Sequence, residues 1–435
     1  MTSAVLTPPT GDYTVHIPME LLSPAGNLEK LATAYRYGAD AAYMGVHGFS
    51  LRTYADAADL TAADNPERVE ELAGELRRIK GAFSTDKPKR LYAALNLFAH
   101  HHDITALPPV LDRLRHLPID GLIIADIGLL DMVQRTLPDV ELHLSTQANC
   151  TNGAAARVYQ RLGFSRIVPA RELTLDEIKA MKDMAPDMEL EVFVHGAMCM
   201  AYSGRCFMSN TLTRRDANRG DCAQSCRWSY GVEHFRIEEE KRQGTWIPVE
   251  ADGRFMTILS ARDLNLFDHI EELAAAGVDA VKIEGRMKSP YYVATVTRSY
   301  RAALDGSPHR AAYREELFRI AHREYSTGFL LGDETVHQAN TAEAAQEYRL
   351  MGIVASPVSG DAAEGVHVSV KNTIRRGQRL EYLPPDPGAV PFIRDDAFRL
   401  RNNAGEEVDH ITNAGNGILI PSYPLQEGTI IRGQR

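Results

Sequence analysis

Short apolar runs alternate with amphipathic stretches over the first 305 residues of the chain. The runs "MELLSPAG" (19–26), "AAYMGV" (41–46), "RLYAALN" (90–96), "GLIIAD" (121–126), "ELHLSTQ" (141–147), "RIVPAR" (166–171), "LEVFVHG" (190–196) and "AVKIEG" (280–285) read as strands. A stretch of helical period follows each, among them "LEKLATAYRYG", helices near 64–80 and 104–116, and one over 290–304. Asn27 is placed to cap the first helix and Gly38 to close it, and Asp263 is placed to cap "LNLFDHIEELAAAG". Eight strand–helix units imply a parallel sheet, and that number fits an α/β fold of the TIM-like (β/α)8 barrel type better than an open doubly wound sheet. The open sheet loses further ground because the chain has neither G-x-G-x-x-G nor G-x-x-x-x-G-K-[ST].

Outside the eight units the pattern changes. Residues 1–18 read as a loose N-terminal arm, and the TIM-like barrel takes 19–305 with a cysteine-rich loop at 196–228. Residues 228–258 read as a hairpin insertion with the charged tip "EEEKRQG". A helical connector, irregular toward its end, covers 306–346. From 347 to 435 short strands are punctuated by "PPDPG", "NNAG" and "NAGNG", the signature of a small C-terminal β-barrel.

Composition changes this picture little. With 44% hydrophobic and 24% charged residues, a large core is available and global disorder is excluded. The net charge of −10 argues against a wholly basic nucleic-acid coat and leaves room for a local basic face. No run approaches the ~20 apolar residues of a membrane helix, so no membrane partner is expected. The opening "MTSAVLTPPTGDYTVH" lacks the basic and apolar regions of a signal peptide. The expected compartment is the cytoplasm, where thiols stay reduced and clustered cysteines serve as ligands or catalysts.

Strand alternation then sorts the polar residues. In "ELHLSTQ", Glu141, His143, Ser145 and Gln147 share one face and the leucines the other. "LEVFVHG" puts Glu191, Phe193 and His195 inward, and "VKIEGR" aligns Lys282, Glu284 and Arg286. Barrel active sites lie at the C-terminal ends of strands, so Gln147, Arg171, His195, Lys282, Glu284 and Arg286 should rim one pocket. Any one of them alone reads equally as a lumen salt bridge, and Lys282 could simply neutralise Glu284. Three cations together point to a small anionic metabolite bearing carboxylates or phosphates. His195 or Glu284 is placed for proton transfer.

Four of five cysteines fall at Cys199, Cys206, Cys222 and Cys226, spaced C-x6-C-x15-C-x3-C. Four thiolates can hold a 4Fe–4S cluster or a zinc ion. The six-residue gap fits zinc poorly and a glycine-bearing loop suits the cluster, while free thiols remain the third alternative. Cys150 reads as a small buried hydrophobe. Two basic patches could meet RNA phosphates: Arg205, Arg214 and Arg215 in the cysteine loop, and Lys371, Arg375 and Arg376 in the terminal barrel. There is no H-E-x-x-H and no G-x-S-x-G; "HHH" at 100–102 is a lesser metal candidate.

At the cysteine loop, "EVFVHGAMCMAYSGRC" followed by "GDCAQSCRW" resembles the signature of the collagenase-like peptidases of unknown catalytic type, family thirty-two. "ELLSPAGNLEKLATAYRYGADAAYMG", "LSTQANC", "KIEGRMKSPYYVATVTRSYR", "HREYSTGF" and "KNTIRRGQRLEYL" extend the resemblance over nearly the whole chain. The resemblance implies a 4Fe–4S centre on the four clustered cysteines. Its branches hydroxylate RNA or a quinone precursor. The branch of matching length and layout forms 5-hydroxyuridine at the wobble position of tRNA, without molecular oxygen and dependent on prephenate. The expected partner is then the anticodon arm of tRNA. A collagenase-like peptidase, and a non-catalytic RNA-binding protein with a structural metal, are the alternatives.

Overall fold

The computed structural model describes residues 16–332 and 347–434, except positions 47, 51–59, 61–64, 85, 86, 359, 360, 387 and 414–416 and scattered positions between 200 and 260. The expected N-terminal arm up to residue 15, the hairpin tip 239–245 and the end of the connector at 333–346 lie outside the described residues.

All eight expected strands form. β1 (Glu20–Pro24), β2 (Ala41–Gly45), β3 (Arg90–Leu95), β4 (Gly121–Ile124), β5 (Glu141–Leu144), β6 (Arg166–Ile167) and β7 (Glu189–Ala197) pair in parallel in chain order. The helices behind them are α1 (Leu28–Arg36), α2 (Pro66–Phe83), α3 (His101–Leu114), α4 (Leu130–Thr136), α5 (Gly153–Arg161) and α6 (Leu175–Met184). In the cysteine loop, α7 (Met208–Thr213) is followed by short paired strands, β8 (Ser229–Tyr230) with β11 (Met256–Thr257) and β9 (Ile237–Glu238) with β10 (Trp246–Ile247), which form the expected hairpin insertion. β12 (Asp263–Asn265), α8 (Ile270–Ala275), β13 (Ala280–Ile283) and α9 (Pro290–Leu304) complete the series. β13 pairs with both β7 and β1, which closes the barrel.

Alternation along the strands divides two cores. Leu21, Ala42, Met44, Leu142 and Leu144 point outward into the layer shared with the helices. Leu22, Ala41, Tyr43, Tyr92, Ala94 and Ile123 fill the lumen. Asn27 accepts from Lys30 N at 2.9 Å and starts α1, and Gly38 follows that helix at φ +101, a conformation open to glycine. His100 begins α3 in a capping box with Asp103, so the "HHH" run is a helix start.

Asp263 is not a helix cap. It lies in β12, antiparallel to the mouth half of β7, and its carboxylate binds Arg323 at 2.6 and 3.0 Å. The Asp-Leu-Asn run satisfies strand pairing before the helix begins at Ile270.

Beyond α10 (Arg310–Glu316) and β14 (Tyr325–Ser326), the terminal segment folds as β15 (Tyr348–Val358), β16 (Asp361–Val370), β17 (Ile374–Arg375), β18 (Leu380–Leu383), β19 (Ile393–Asp395), β20 (Arg399–Arg401), β21 (His410–Ile411), β22 (Gly417–Ile420) and β23 (Ile430–Gln434). Seven of these strands make one antiparallel sheet in the order β19-β18-β23-β15-β16-β22-β20, a half-barrel; β17 and β21 pair separately. The sheet has its own core around Val368, Leu380, Tyr382 and Leu419. It is also fused to the large barrel. Tyr348, Ile353, Leu383 and Ile430 belong to the barrel's outer core, and the Tyr37 hydroxyl donates to Leu383 O at 2.8 Å and accepts from Ile430 N at 2.9 Å. Arg432, fully buried on β23, spans Glu316 of α10 and Glu381 of β18.

Candidate functional site at the barrel mouth

Strand ends carry polar residues into a cavity of about 80 Å³ at the C-terminal mouth. Tyr43, Asn96, Ser145, Thr146, Gln147 and Phe193 line it together with Arg171, Lys282, Glu284 and Arg286. At ~15 Å³ per water this is room for roughly five waters, the scale of a small metabolite's polar end. Five of the six expected pocket residues therefore meet.

Two of the five stand just past their strands. β6 stops at Ile167, and Arg171 follows in the turn after Pro169, which has no N–H for a ladder. Gln147 sits in the 3-10 turn Thr146–Ala148. Its Oε1 is buried and has no hydrogen-bond partner among the described residues. The Arg171 guanidinium stands over the Phe193 ring, 3.8 Å from its centroid, and donates to Ala197 O at 2.9 Å. Burial holds its pKa below the ordinary arginine value, and its electrostatic neighbours include Cys199 and Tyr43.

Lys282 and Arg286 are held in different ways. Lys282 Nζ binds Glu191 at 2.6 Å, and Glu191 also takes Arg166 at 3.1 Å, below the cavity. The expected neutralisation of Lys282 by Glu284 is thus replaced by Glu191, which β7 presents at the same level of the lumen. Burial leads Lys282's pKa downward against the pull of Glu191, and those two cations bring the Glu191 carboxyl down to about 2 despite its burial. Arg286 Nη1 donates to Ser50 Oγ at 2.6 Å. A Cβ on Gly45 would stand 2.6 Å from that nitrogen, so β2 needs glycine there to admit the guanidinium. Glu284 Oε2 accepts from the Tyr43 hydroxyl at 3.2 Å. Tyr43 went unnamed in the sequence reading, although Ala41 and Tyr43 share the lumen face by simple alternation.

His195 is not in the cavity. β7 carries a bulge: Lys282 pairs with Phe193 and Ile283 with His195, so Val194 is an extra residue. The insertion reverses the side on which later residues point. Phe193 stays inward, and His195 turns outward among Tyr292, Tyr300 and Tyr325. The Tyr300 and Tyr325 hydroxyls lie 3.4 Å from its two ring nitrogens, and Tyr300 also donates to the bulge carbonyl, Val194 O, at 2.8 Å. Burial pushes His195 down to about 3, so it stays neutral. Its position gives it no contact with a ligand in the cavity.

The cysteine loop rises from the end of β7 beside this mouth. Ser203 N and Oγ donate to Glu172 at 2.7 and 2.8 Å. Asn218 clamps the backbone of Cys206, accepting from its N at 3.1 Å and donating to its O at 2.9 Å, while Phe98 N donates to Asn218 O at 3.2 Å. Ser209 Oγ donates to Arg215 O at 2.7 Å and accepts from Ala223 N at 3.0 Å, which draws Cys222 toward α7. The Cys199 thiol is raised above the usual thiol range chiefly by its hydrogen bond with Cys206, and Cys226 is close enough to add to the shift. Among the described residues no group of three or more His, Cys, Asp or Glu side chains stands at metal-holding separation. Cys199, Cys206 and Cys226 are nonetheless electrostatic neighbours within one loop. Cys150 is buried in the outer core, its thiol pushed up to about 11 by burial.

The basic candidates divide between two places. Arg205 and Arg214 are exposed on the cysteine loop, and Arg215 is half-buried. On the terminal sheet Arg375 and Arg376 are exposed, while Lys371 pairs with Glu29 at 2.8 Å.

A family model, Peptidase family U32, matches residues 26–340, which takes in both the cavity and the cysteine loop. The chain belongs to peptidase family U32. Its relatives in that family carry different names. The chain is 32% identical to the tRNA hydroxylation protein P of Escherichia coli (strain K12), covering 92% of this chain and 93% of that one, so the likeness reaches into the terminal sheet. It is 35% identical to the 23S rRNA 5-hydroxycytidine C2501 synthase of the same organism, over 84% of this chain and 52% of that longer one. It is 31% identical to a protein named Collagenase from Porphyromonas gingivalis (strain ATCC BAA-308 / W83), over 72% and 73%. Among the described residues no helix is long and apolar enough to cross a membrane.

Proposed function

We propose that this U32 chain is a tRNA hydroxylase that forms 5-hydroxyuridine at the wobble position without molecular oxygen. In this reading Cys199, Cys206, Cys222 and Cys226 hold a 4Fe–4S cluster, and the mouth cavity takes prephenate. The observation that carries the reading is the placement of Arg171: its guanidinium lines the cavity and also donates to Ala197 O at 2.9 Å, at the root of the cysteine loop two residues before Cys199. Full-length likeness to a protein named for tRNA hydroxylation, and likeness to one named for rRNA hydroxylation, supports the substrate class.

The donor set fits an iron–sulfur cluster in kind. It offers soft thiols alone, and Cys199, Cys206 and Cys226 already interact. When bound, such a cluster supplies one-electron chemistry that side chains lack. The chain's own residues do the rest. Arg171 and Arg286 present guanidinium groups that suit the two carboxylates of prephenate, each charge-assisted contact being worth ~1.5–3 kcal/mol. Gln147 Oε1, which has no partner among the described residues, is left at the cavity wall for the nucleoside and not for prephenate. Glu284, hydrogen-bonded to Tyr43, can hold or pass a proton at the cavity wall. Lys282, matched by Glu191, sets the floor's charge.

The test is nucleoside mass spectrometry of tRNA from a deletion strain complemented with wild-type, Arg286→Ala or Cys222→Ala genes. Wild type should restore the hydroxylated nucleoside and the variants should not, and purified Cys222→Ala protein should lack iron. Full iron content in Cys222→Ala would sink the cluster assignment. An Arg286→Ala enzyme with unchanged dependence on the metabolite would move the ligand site elsewhere. Peptide hydrolysis that survives replacement of all four loop cysteines, with no change in tRNA nucleosides, would favour the peptidase reading.

A further inference from the structure

We propose that the surface gripping RNA is the rim of the barrel mouth, built on Tyr202, Arg205, Arg214 and Phe98, and that its partner is an unpaired RNA loop. The inference rests on the tRNA reading above and goes beyond it by choosing between the two basic patches.

An unpaired loop differs from a duplex in offering base faces as well as phosphates. A surface that binds it combines aromatic rings for stacking with cations along the backbone path. The rim has both. Tyr202 leaves 52% of its surface exposed. It directly precedes Ser203, whose hydroxyl and amide are fixed to Glu172, the neighbour of Arg171 in the cavity wall. Its carbonyl accepts from Arg205 N at 2.7 Å, so the two side chains spring from one tight turn. The exposed Arg205 guanidinium stands 5.7 Å from the centroid of the Phe98 ring, a cation already set against a π-face. Arg214 is exposed at φ +61, outside the helical turn that precedes it. Met287, 42% exposed and next to Arg286, adds an apolar edge across the mouth.

The cavity beneath explains why such a rim belongs there. Turning a base out of a duplex costs a few kcal/mol, and turning one out of an unpaired loop costs less. Below the rim it would meet Gln147 Oε1, which has no partner among the described residues and can accept from a uracil N3–H. The terminal sheet has exposed Arg375, Arg376 and Tyr423, but none of its described residues lines the mouth cavity. Three of its other cations are held in ion pairs: Lys371 with Glu29, Arg379 with Asp396 and Arg399 with Glu407.

The experiment measures binding of full-length protein to an unmodified tRNA transcript by fluorescence anisotropy across a salt series. Tyr202→Ala should weaken binding on the order of tenfold and Tyr202→Phe should retain wild-type affinity, as expected for a stacking ring. The Arg205→Gln/Arg214→Gln double variant should lower the log–log salt slope by about 1.4, at ~0.7 per single-stranded phosphate contact. Annealing a complementary oligonucleotide to the anticodon loop should erase the difference between Tyr202→Ala and wild type. Because Tyr202 is largely exposed, its replacement leaves the fold alone. Unchanged affinity and slope in these variants, with both reduced in Arg375→Gln/Arg376→Gln, would overturn the proposal while leaving the tRNA reading intact. Failure of wild-type protein to bind any tRNA would overturn both.

Discussion

Replacing Arg432 by Met tests whether the two halves of the protein fold as one. Arg432 is fully buried and makes five hydrogen bonds: two to Glu316, two to Glu381 and one to the Tyr291 hydroxyl, all between 2.5 and 3.0 Å. Its guanidinium also lies 4.4 Å from the Tyr348 ring centroid. Those neighbouring charges raise its pKa above the ordinary arginine value against the burial that leads the other way. Removing one partner of a buried ionic cluster costs about 3–5 kcal/mol, because the remaining charges stay buried. Glu316 keeps Arg319 at 3.2 Å and Glu381 keeps Arg394 at 3.2 Å, and both of those arginines reach solvent. The expected loss is therefore near the lower bound, about 3 kcal/mol. The assay is urea unfolding followed by far-ultraviolet circular dichroism for the helices and hydrogen exchange of the β18 and β23 amides for the sheet. Both probes should report one coincident transition with an unchanged slope and a lower midpoint. Adding Glu316→Gln and Glu381→Gln should recover most of the loss, since apolar or neutral replacement of a whole buried cluster is nearly neutral. A loss under about 1 kcal/mol, or two separate transitions in wild type, would refute the reasoning. For the same reason, removing residues 347–435 should leave an unstable barrel, with Tyr37 and the outer core uncovered.

Three further outcomes follow from the geometry. Gly45→Ala should displace the Arg286 guanidinium, whose Nη1 lies 2.6 Å from the added carbon, and weaken anionic ligand binding tenfold or more by ~1.5–3 kcal/mol, read by calorimetry against wild type. His195→Gln should flatten the acid side of the stability profile: with a folded pKa near 3 and an unfolded one near ~6.5, the unfolded chain takes up a proton that the folded one refuses as pH falls below about 6.5. Stability is then lost by up to about 1.4 kcal/mol per pH unit in that window, and identical slopes for wild type and variant between about pH 6.5 and 4.5 would contradict it. Cys150→Ala should cost at most ~1–2 kcal/mol in denaturation and leave tRNA modification intact, because the thiol is buried in the outer core and does not line the mouth cavity.

Much of this was readable in the chain. Eight apolar runs, each followed by a helical period, sufficed for the barrel because every run met a neighbour of its own kind. Gln147, Arg171, Lys282, Glu284 and Arg286 met because residues just past a strand keep its general heading. Period-two reasoning failed at His195, where one extra residue inverted the count. It also had Tyr43 within reach and passed over it, since a tyrosine among alanines looks like packing until Glu284 arrives from a strand more than two hundred residues away. The partner of Lys282 was legible in type only: Glu191 lies on β7, and sequence spacing does not reveal register between β7 and β13. The cysteine loop has no period at all, so its spacing could name a donor set and not an arrangement.

The bulge at Val194 sets a parity rule for the length of β7. Below it the strand is in phase with β13 and serves the lumen; above it the strand is half a period out, pairs with β12 and serves the aromatic cage around His195. Deleting Val194 alone would restore a continuous alternation in which His195, now directly after the inward Phe193, still pairs with Ile283 and faces the aromatic cage. Losing a second residue would put the upper half out of step and turn the root of the cysteine loop to the opposite side. A single deletion here should therefore be tolerated and a double one not, so that strand length itself acts as a digital setting of which chemistry faces the ligand.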